Sequence, residues 1–272
     1  MLAGSAKPRD RPDWRSRLDR TEYAKLDLVE DRMWWFAAAH ANLLDAYRHL
    51  RQHPRDPGPV LDAGCGTGGL LAKLAGRFPE RAVIGLEVDK EASARAHLKS
   101  GRPVCVGSVN ALPFADAAFA AIFSADVLCH RDVDEVSALA QFHRCLADDG
   151  VLVLNLPAYR WLLSRHDAAV YNVRRYTRRG AAALLRAAGF RPLYASYWNT
   201  VLFPLMVITR VLLPAPAGET SDVKLYSPAI EAMCRAATGF ERALMRCGFR
   251  FPFGGSILAV AAKDRREEGV HG

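Results

Sequence analysis

Residues 59–69 read Pro-Val-Leu-Asp-Ala-Gly-Cys-Gly-Thr-Gly-Gly, a run that few folds accommodate. The apolar pair Val60-Leu61 leads into Asp62, then Gly64, Gly66, Gly68 and Gly69 follow, and Leu70-Leu71-Ala72-Lys73-Leu74-Ala75 has helical apolar spacing. The order predicts a strand, a tight turn and a helix start. Glycines in such a turn admit positive φ and let a ligand lie on bare backbone. The helix start offers it unpaired N–H groups. Read literally, Gly64, Gly66 and Gly69 fit the dinucleotide fingerprint, with Glu87 at the distance of a ribose-binding acid. Asp62 argues against that ligand. A carboxylate two residues before the first glycine faces a pyrophosphate unfavourably, whereas it suits a ligand bearing an ammonium and a sulfonium.

The stretch Leu61-Asp62-Ala63-Gly64-Cys65-Gly66-Thr67-Gly68 resembles motif I of the class I S-adenosylmethionine (SAM) methyltransferases, and the resemblance continues to about Pro157. It implies an α/β fold, Rossmann-like, with a seven-stranded, mostly parallel sheet. It also implies that Asp62, Gly64, Cys65, Gly66, Thr67 and Gly68 hold the methionine part of SAM. Glu87, closing the second strand, would take the ribose, and Ser108 with Val109 the adenine edge. Ser108 and Ala120 stand where the family has Asp. The segment from Ala125 to His130 matches the one that passes under the transferred methyl, which puts Ala125 against the cofactor. The product would be S-adenosylhomocysteine, and no metal is expected.

The chain has 37 Lys and Arg against 29 Asp and Glu, a net charge of +8. Such a surface suits nucleic acid, anionic lipid or an acidic substrate without selecting among them. Six scattered cysteines contain no C-x-x-C pair, which argues against a zinc site or a disulfide framework and for a cytoplasmic protein. No basic-then-apolar signal peptide opens the chain. The expected organisation is a loose basic tail over 1–20 and one domain over 21–272. Within it, 21–50 is an N-terminal helical cap, 59–157 the SAM-binding core, 158–180 and 199–250 substrate-side insertions, and 254–263 the last strand, which the resemblance pairs antiparallel with the strand before it at the sheet edge. Residues 51–58 form a Pro-rich linker, and 214–223 a loop.

The cap and the first insertion resemble a bacterial Trp-Trp-Phe subgroup of these enzymes. Trp34 and Trp35 would close the site. Asp167, Arg174, Arg175 and Tyr176 match the subgroup's pattern, while Tyr171-Asn172 replace its Gly-His pair. The candidate catalytic residues are therefore His130, His166, Asp167 and Tyr176. Substrate contacts would come from Trp34, Trp35, Tyr171, Asn172, Arg174 and Arg175, with the arginines suited to an anionic acceptor. The competing reading is an ordered loop in which Asp167 pairs with an arginine. The apolar run 199–213 is too short to span a bilayer and reads as pocket lining, a dimer face or a membrane-touching segment. Ile230, Met233, Ala237, Phe240 and Leu244 mark one apolar face of a following helix.

The expected activity is methyl transfer from SAM to a small or amphipathic, lipid-like acceptor with an anionic group, preferably at oxygen. Nucleic acid is a less favoured partner. RNA or protein methylation, a non-catalytic SAM-binding regulator and an NAD(P) dehydrogenase are the other readings. The expected location is the cytoplasm, with peripheral membrane contact through 199–213 as the alternative, and the expected state a monomer or homodimer.

Overall fold

The strands and helices alternate along the chain, and the computed structural model arranges them as one doubly wound sheet. It describes residues 20–50, 58–164, 167–168, 170–212 and 224–264. The expected tail over 1–20 lies outside those residues apart from its last position. The linker (except Gly58), the loop 214–223 and His166 lie outside them as well.

Seven strands run β1 (Val60–Ala63), β2 (Val83–Glu87), β3 (Val104–Val106), β4 (Phe119–Ala125), β5 (Leu146–Pro157), β6 (Phe190–Trp198) and β7 (Ser256–Lys263). Their spatial order is β3-β2-β1-β4-β5-β7-β6, and β7 is antiparallel to both its neighbours. The chain starts at β1, winds outward to β3, then returns to β4 on the other side of β1. That reversal makes a topological switch point between β1 and β4, where ligands of such sheets bind beyond the carboxyl ends of the strands. β1 is buried at every position. A short parallel strand covered on both faces has to be apolar, so Asp62 is its exception.

The helices are α1 (Arg20–Val29), α2 (Trp34–Leu50), α3 (Gly69–Arg77), α4 (Lys90–Ser100), α5 (Glu135–Cys145), α6 (Arg178–Ala187), α7 (Phe203–Val207), which passes into a π-turn over Ile208–Leu212, and α8 (Pro228–Arg246). Their starts follow local chemistry. Asp89 caps α4 by accepting from Glu91 N and Ala92 N, and Thr177 caps α6 by accepting from Gly180 N. Two apolar clusters form the core, one on each face of the sheet. One is built around Phe119, Ile122, Leu139 and Phe142, the other around Leu43, Leu71, Phe123 and Trp198. Each such fully buried side chain contributes about 1.5–3 kcal/mol.

Two expectations need refinement. The helical cap over 21–50 is two helices. Residues 30–33 form a turn, and Glu30 is turned inward and buried. The apolar face expected for α8 packs inward only in part: Leu244 lies against the core, but Ile230, Met233 and Phe240 are exposed, while Cys234, Thr238 and Glu241 are buried. Backbone demand explains this orientation. Glu231 accepts from Trp34 N at the start of α2 (2.7 Å) and Glu241 accepts from Val201 N (2.7 Å). Those N–H groups lack partners in their own elements, and leaving them unpaired would cost more than exposing a few apolar side chains.

Candidate active site

The turn after β1 forms as its composition requires. Gly64, Gly66 and Gly68 have φ of 82°, 54° and 95°. A Cβ at Gly64 would collide with Val127, and one at Gly68 would lie 2.6 Å from the Ala96 Cα. The turn is thus pressed against the segment after β4 on one side and α4 on the other. Gly64 N and Cys65 N both donate to Leu86 O, at 2.8 and 2.9 Å, which ties the turn to the end of β2. Cys65 is buried and its thiol is pushed up by that burial and by Asp62, so it packs as a neutral group.

Three acids converge here. Asp62 is 1% exposed and its Oδ2 has no partner. Burial raises its carboxyl well above the usual range, and Glu30 and Glu87 add to the rise. Glu87 is also raised by burial, although Gly66 N (2.9 Å) and Asp89 N (3.0 Å) donate to it. The Tyr23 hydroxyl, from α1, reaches Glu87 Oε1 at 3.4 Å. Glu30 accepts from Thr67 Oγ1 at 2.6 Å and pairs with Lys99 of α4, and burial raises its carboxyl too. Lys99 also meets Asp27 at 2.8 Å; burial disfavours its charge, but Asp27 and Glu30 outweigh that and raise it. A buried acid cluster in which Asp62 Oδ2 has no partner, beside a bare glycine turn, fits a cationic ligand with a diol. It does not fit a diphosphate, whose charge would add to the repulsion. Ser108 accepts from Asn110 N in its own turn, and Val109 is buried in the core beside Leu112.

Asp126, immediately after β4, is a residue that sequence reasoning passed over in favour of Ala125 and His130. It has φ 53°, rare for a residue with a side chain. Its Oδ2 accepts from Asn155 Nδ2 at 2.8 Å, and Asn155 Oδ1 accepts from Trp198 Nε1 at 2.8 Å. An indole N–H can only donate, so Trp198 fixes which way the Asn155 amide points. Asp126 Oδ1 is left with no partner. Burial pushes this carboxyl up to about 7; Asn155 and Arg175 pull it back in part, and Asp167 opposes them. Trp35 packs 5.9 Å from Trp198, carrying the cap onto the same network, and the Trp34 indole N–H is buried with no partner.

The first insertion is held to the core by its own charges. Arg175 forks onto Asp167 through Nε and Nη2, both at 3.0 Å, and its Nη1 donates to Ala158 O; the side chains are 4% and 1% exposed. Burial works against the Asp167 charge, but Arg175 outweighs it and holds the carboxyl below its usual range. Arg174 donates to the carbonyls of Leu128, His130 and Val133 and pairs with Glu135 at 2.9 Å. Both arginines expected on the acceptor are therefore engaged within the protein. Tyr176 donates to Leu128 O and is buried; Asn172 accepts from Cys129 Sγ and bridges His130 through the backbone. Tyr171, at φ 56°, lies under the Arg131 guanidinium. Burial lowers the His130 imidazole, which keeps it neutral. The competing reading of the insertion as an ordered loop stapled by Asp167 matches this geometry. Among the described residues no group of three or more His, Cys, Asp or Glu is arranged to hold a metal ion.

A family model described as a methyltransferase domain matches residues 61–154. The chain is 30% identical over 152 residues to the malonyl-acyl carrier protein O-methyltransferase of Geobacter sulfurreducens, covering 50% of this chain and 57% of that one. It is 33% identical to O-methyltransferase cnsE of Penicillium expansum, over 39% and 40% of the two chains. A Bacillus subtilis protein assigned as a 23S rRNA (guanine-N1) methyltransferase is 29% identical over 67% of each chain. The matched stretch thus spans between 40% and 67% of these relatives' lengths. Among solved structures, geranyl diphosphate C-methyltransferase of Streptomyces coelicolor superposes with a TM-score of 0.56 at 17% identity, over 91% and 85% of the chains. At that identity the likeness concerns the fold.

Proposed function

We propose that this chain, whose residues 61–154 match a methyltransferase-domain model, is a class I SAM-dependent methyltransferase that transfers the SAM methyl to a hydroxyl group of a small or amphipathic acceptor. The observation that carries this reading is the pair of unpartnered carboxylate oxygens on either side of the β1/β4 switch point, Asp62 Oδ2 and Asp126 Oδ1. Asp62, with Glu87 and the glycine turn, would hold the cofactor's ammonium and ribose. Cys65, Thr67, Ser108, Val109 and Ala125 line the strand ends and loops around it. When bound, SAM supplies a methyl group on a positively charged sulfur.

Asp126 is the proton acceptor in this reading. The acceptor's hydroxyl proton would pass to Asp126 Oδ1 as its oxygen takes the methyl group that bound SAM would supply, leaving neutral S-adenosylhomocysteine. The Asp126–Asn155–Trp198 chain holds that carboxylate in place, and its raised pKa suits a base working near neutrality. A hydroxyl must lose a proton and finds a base there. A carboxylate acceptor needs no base and would meet Asp126 as a like charge. With Arg174 and Arg175 occupied, nothing in the first insertion calls for an anionic acceptor. The aromatic cluster of Tyr159, Trp161, Tyr197 and Phe203 beside it favours a flat or apolar body.

The relative assigned to rRNA, together with the charge of +8, supports RNA as a second reading. Calorimetry with SAM and S-adenosylhomocysteine comes first, then methyl-labelled SAM offered with phenols, alcohols, carboxylic acids, malonyl-acyl carrier protein and an rRNA transcript. We expect label in hydroxyl acceptors, at a rate that rises with pH through about 7. Asp126→Asn should lose about 10²-fold in kcat and the acid limb of the profile, with SAM affinity unchanged. Label entering carboxylates or RNA in preference would remove Asp126 from the chemistry, and folded protein that binds neither cofactor would remove the reading itself.

A further inference from the structure

Helix α1 lies against both surfaces that a ligand of the glycine turn would use. A Cβ at Gly66 would meet Leu26 Cδ2 at 3.9 Å, so this side chain stands over the bare backbone of the turn. On the preceding turn of the helix, buried Tyr23 reaches Glu87 at the end of β2. On the following one, Asp27 pairs with Arg95 at 3.0 Å and with Lys99 at 2.8 Å, and Glu30 accepts from Thr67 just beyond. The C-terminal end of α1 is thus anchored to α4 and to the glycine turn, and this anchor delivers the Tyr23 hydroxyl to Glu87.

The hydrogen bonds of Glu87 can be counted. A carboxylate has about four acceptor positions, two on each oxygen. Oε2 accepts from Gly66 N at 2.9 Å, and Oε1 accepts from Asp89 N at 3.0 Å and from the Tyr23 hydroxyl at 3.4 Å. With those taken, at most one position is left, and it is on Oε2. A ribose presents two adjacent hydroxyls, each with a hydrogen to donate. Both cannot bind Glu87 unless one internal donor withdraws. Gly66 N and Asp89 N are backbone groups fixed by the turn and by the start of α4. The Tyr23 bond is the longest of the three and belongs to a side chain, so it is the one that yields.

We infer that Tyr23 competes with the cofactor's ribose for Glu87 Oε1, and so sets both the affinity for the cofactor and the preference for an intact diol. The inference rests on the SAM reading of the glycine turn. A ligand with a single ribose hydroxyl uses the remaining position and leaves Tyr23 where it is. A ligand with both must displace the phenol, which takes back part of what the second hydroxyl gains. The same bond re-forms as the product departs, and this favours its release.

Calorimetry with S-adenosylhomocysteine, and with its analogue lacking the ribose 3′-hydroxyl, tests this without turnover. In wild type the second hydroxyl only replaces the phenol, so the two ligands should bind within about threefold of each other. Tyr23→Phe keeps the ring and removes the competitor. It should bind S-adenosylhomocysteine about three- to tenfold more tightly than wild type, and release it more slowly in stopped flow by a similar factor. Its affinity for the 3′-deoxy analogue should not change. A bracing phenol, or one that touches the cofactor, gives the opposite sign, because its removal loosens binding. Equal or weaker binding of S-adenosylhomocysteine by Tyr23→Phe would overturn the inference. So would equal tightening of the analogue, or a wild type that already prefers the full diol by about tenfold. Wild type that binds neither S-adenosylhomocysteine nor SAM would overturn it together with the cofactor reading.

Discussion

The turn Gly64–Gly69 and the insertion from Ala158 to Thr177 flank the same switch point, yet they treat charge in opposite ways. In the turn, Asp62 is buried with an oxygen that nothing in the protein satisfies, and Glu87 and Glu30 crowd it. In the insertion, Asp167 is as deeply buried but is forked by Arg175 and bonded by Ser164 N. Arg174 spreads over three carbonyls and a carboxylate. A satisfied buried ion holds a fold together, whereas an unsatisfied one waits for a ligand. By that criterion we propose the turn as the binding half and the insertion as a wall. Arg174 and Arg175, which look like substrate contacts in the sequence, are both engaged within the protein.

The largest effect should come from loosening the wall. Arg175→Ala would leave buried Asp167 with only the looser Arg210 contact at 3.9 Å, and should cost up to about 3–5 kcal/mol of stability in urea unfolding. The folded fraction should bind SAM as wild type does. A normally stable Arg175→Ala protein that had lost only turnover would break the comparison and return the arginine to the acceptor.

Asp62→Asn should act the other way round. It should weaken SAM binding by about 1.5–3 kcal/mol, the worth of a charge-assisted hydrogen bond. The unliganded protein should become more stable as pH rises, because the variant never has to place a charge in that buried site. The sign follows from the shift. The folded-state pKa of Asp62 lies above its unfolded value, so its contribution is fully present below the unfolded pKa and is lost as pH rises through the folded one. The variant's advantage should therefore grow with pH. Cofactor binding to wild type should lower the raised carboxyl and so release protons over the pH range in which unliganded Asp62 keeps its proton, which calorimetry in buffers of different ionisation enthalpy would show. An Asp62→Asn protein less stable than wild type at pH 8 would mean that the acid is satisfied after all.

Lys99→Ala sharpens the boundary between the halves. Lys99 ties Asp27 and Glu30, and with them α1, to α4 beside the glycine turn. Its loss should cost about 1–2 kcal/mol, because Thr67 still donates to Glu30 and part of the cluster meets solvent. Faster exchange of bound S-adenosylhomocysteine in stopped flow would accompany it if α1 covers the cofactor; unchanged exchange would make α1 a brace only.

What the sequence determined by itself is local. Glycines at 64, 66 and 68 take positive φ because no other residue does so readily, and Asp89 and Thr177 cap the helices that follow them within a few residues. Apolar runs and helical spacing were enough to place the strands, while the seven-stranded sheet and its antiparallel last pair followed from the resemblance of the glycine-turn stretch to a known family. Three things depended on groups far apart in the chain. Asp126 became a poised carboxylate only when Asn155 and Trp198 were brought to it across β5 and β6. Glu30 became part of the glycine turn only through Thr67 and Lys99. The face that α8 turns outward was decided by backbone N–H groups of α2 and of residue 201, which claimed its two acids. Periodicity records which residues avoid water on average, whereas the tertiary structure also has to satisfy every buried hydrogen-bonding group. Where the two demands conflict, as on α8, the unpaired polar group is the costlier fault.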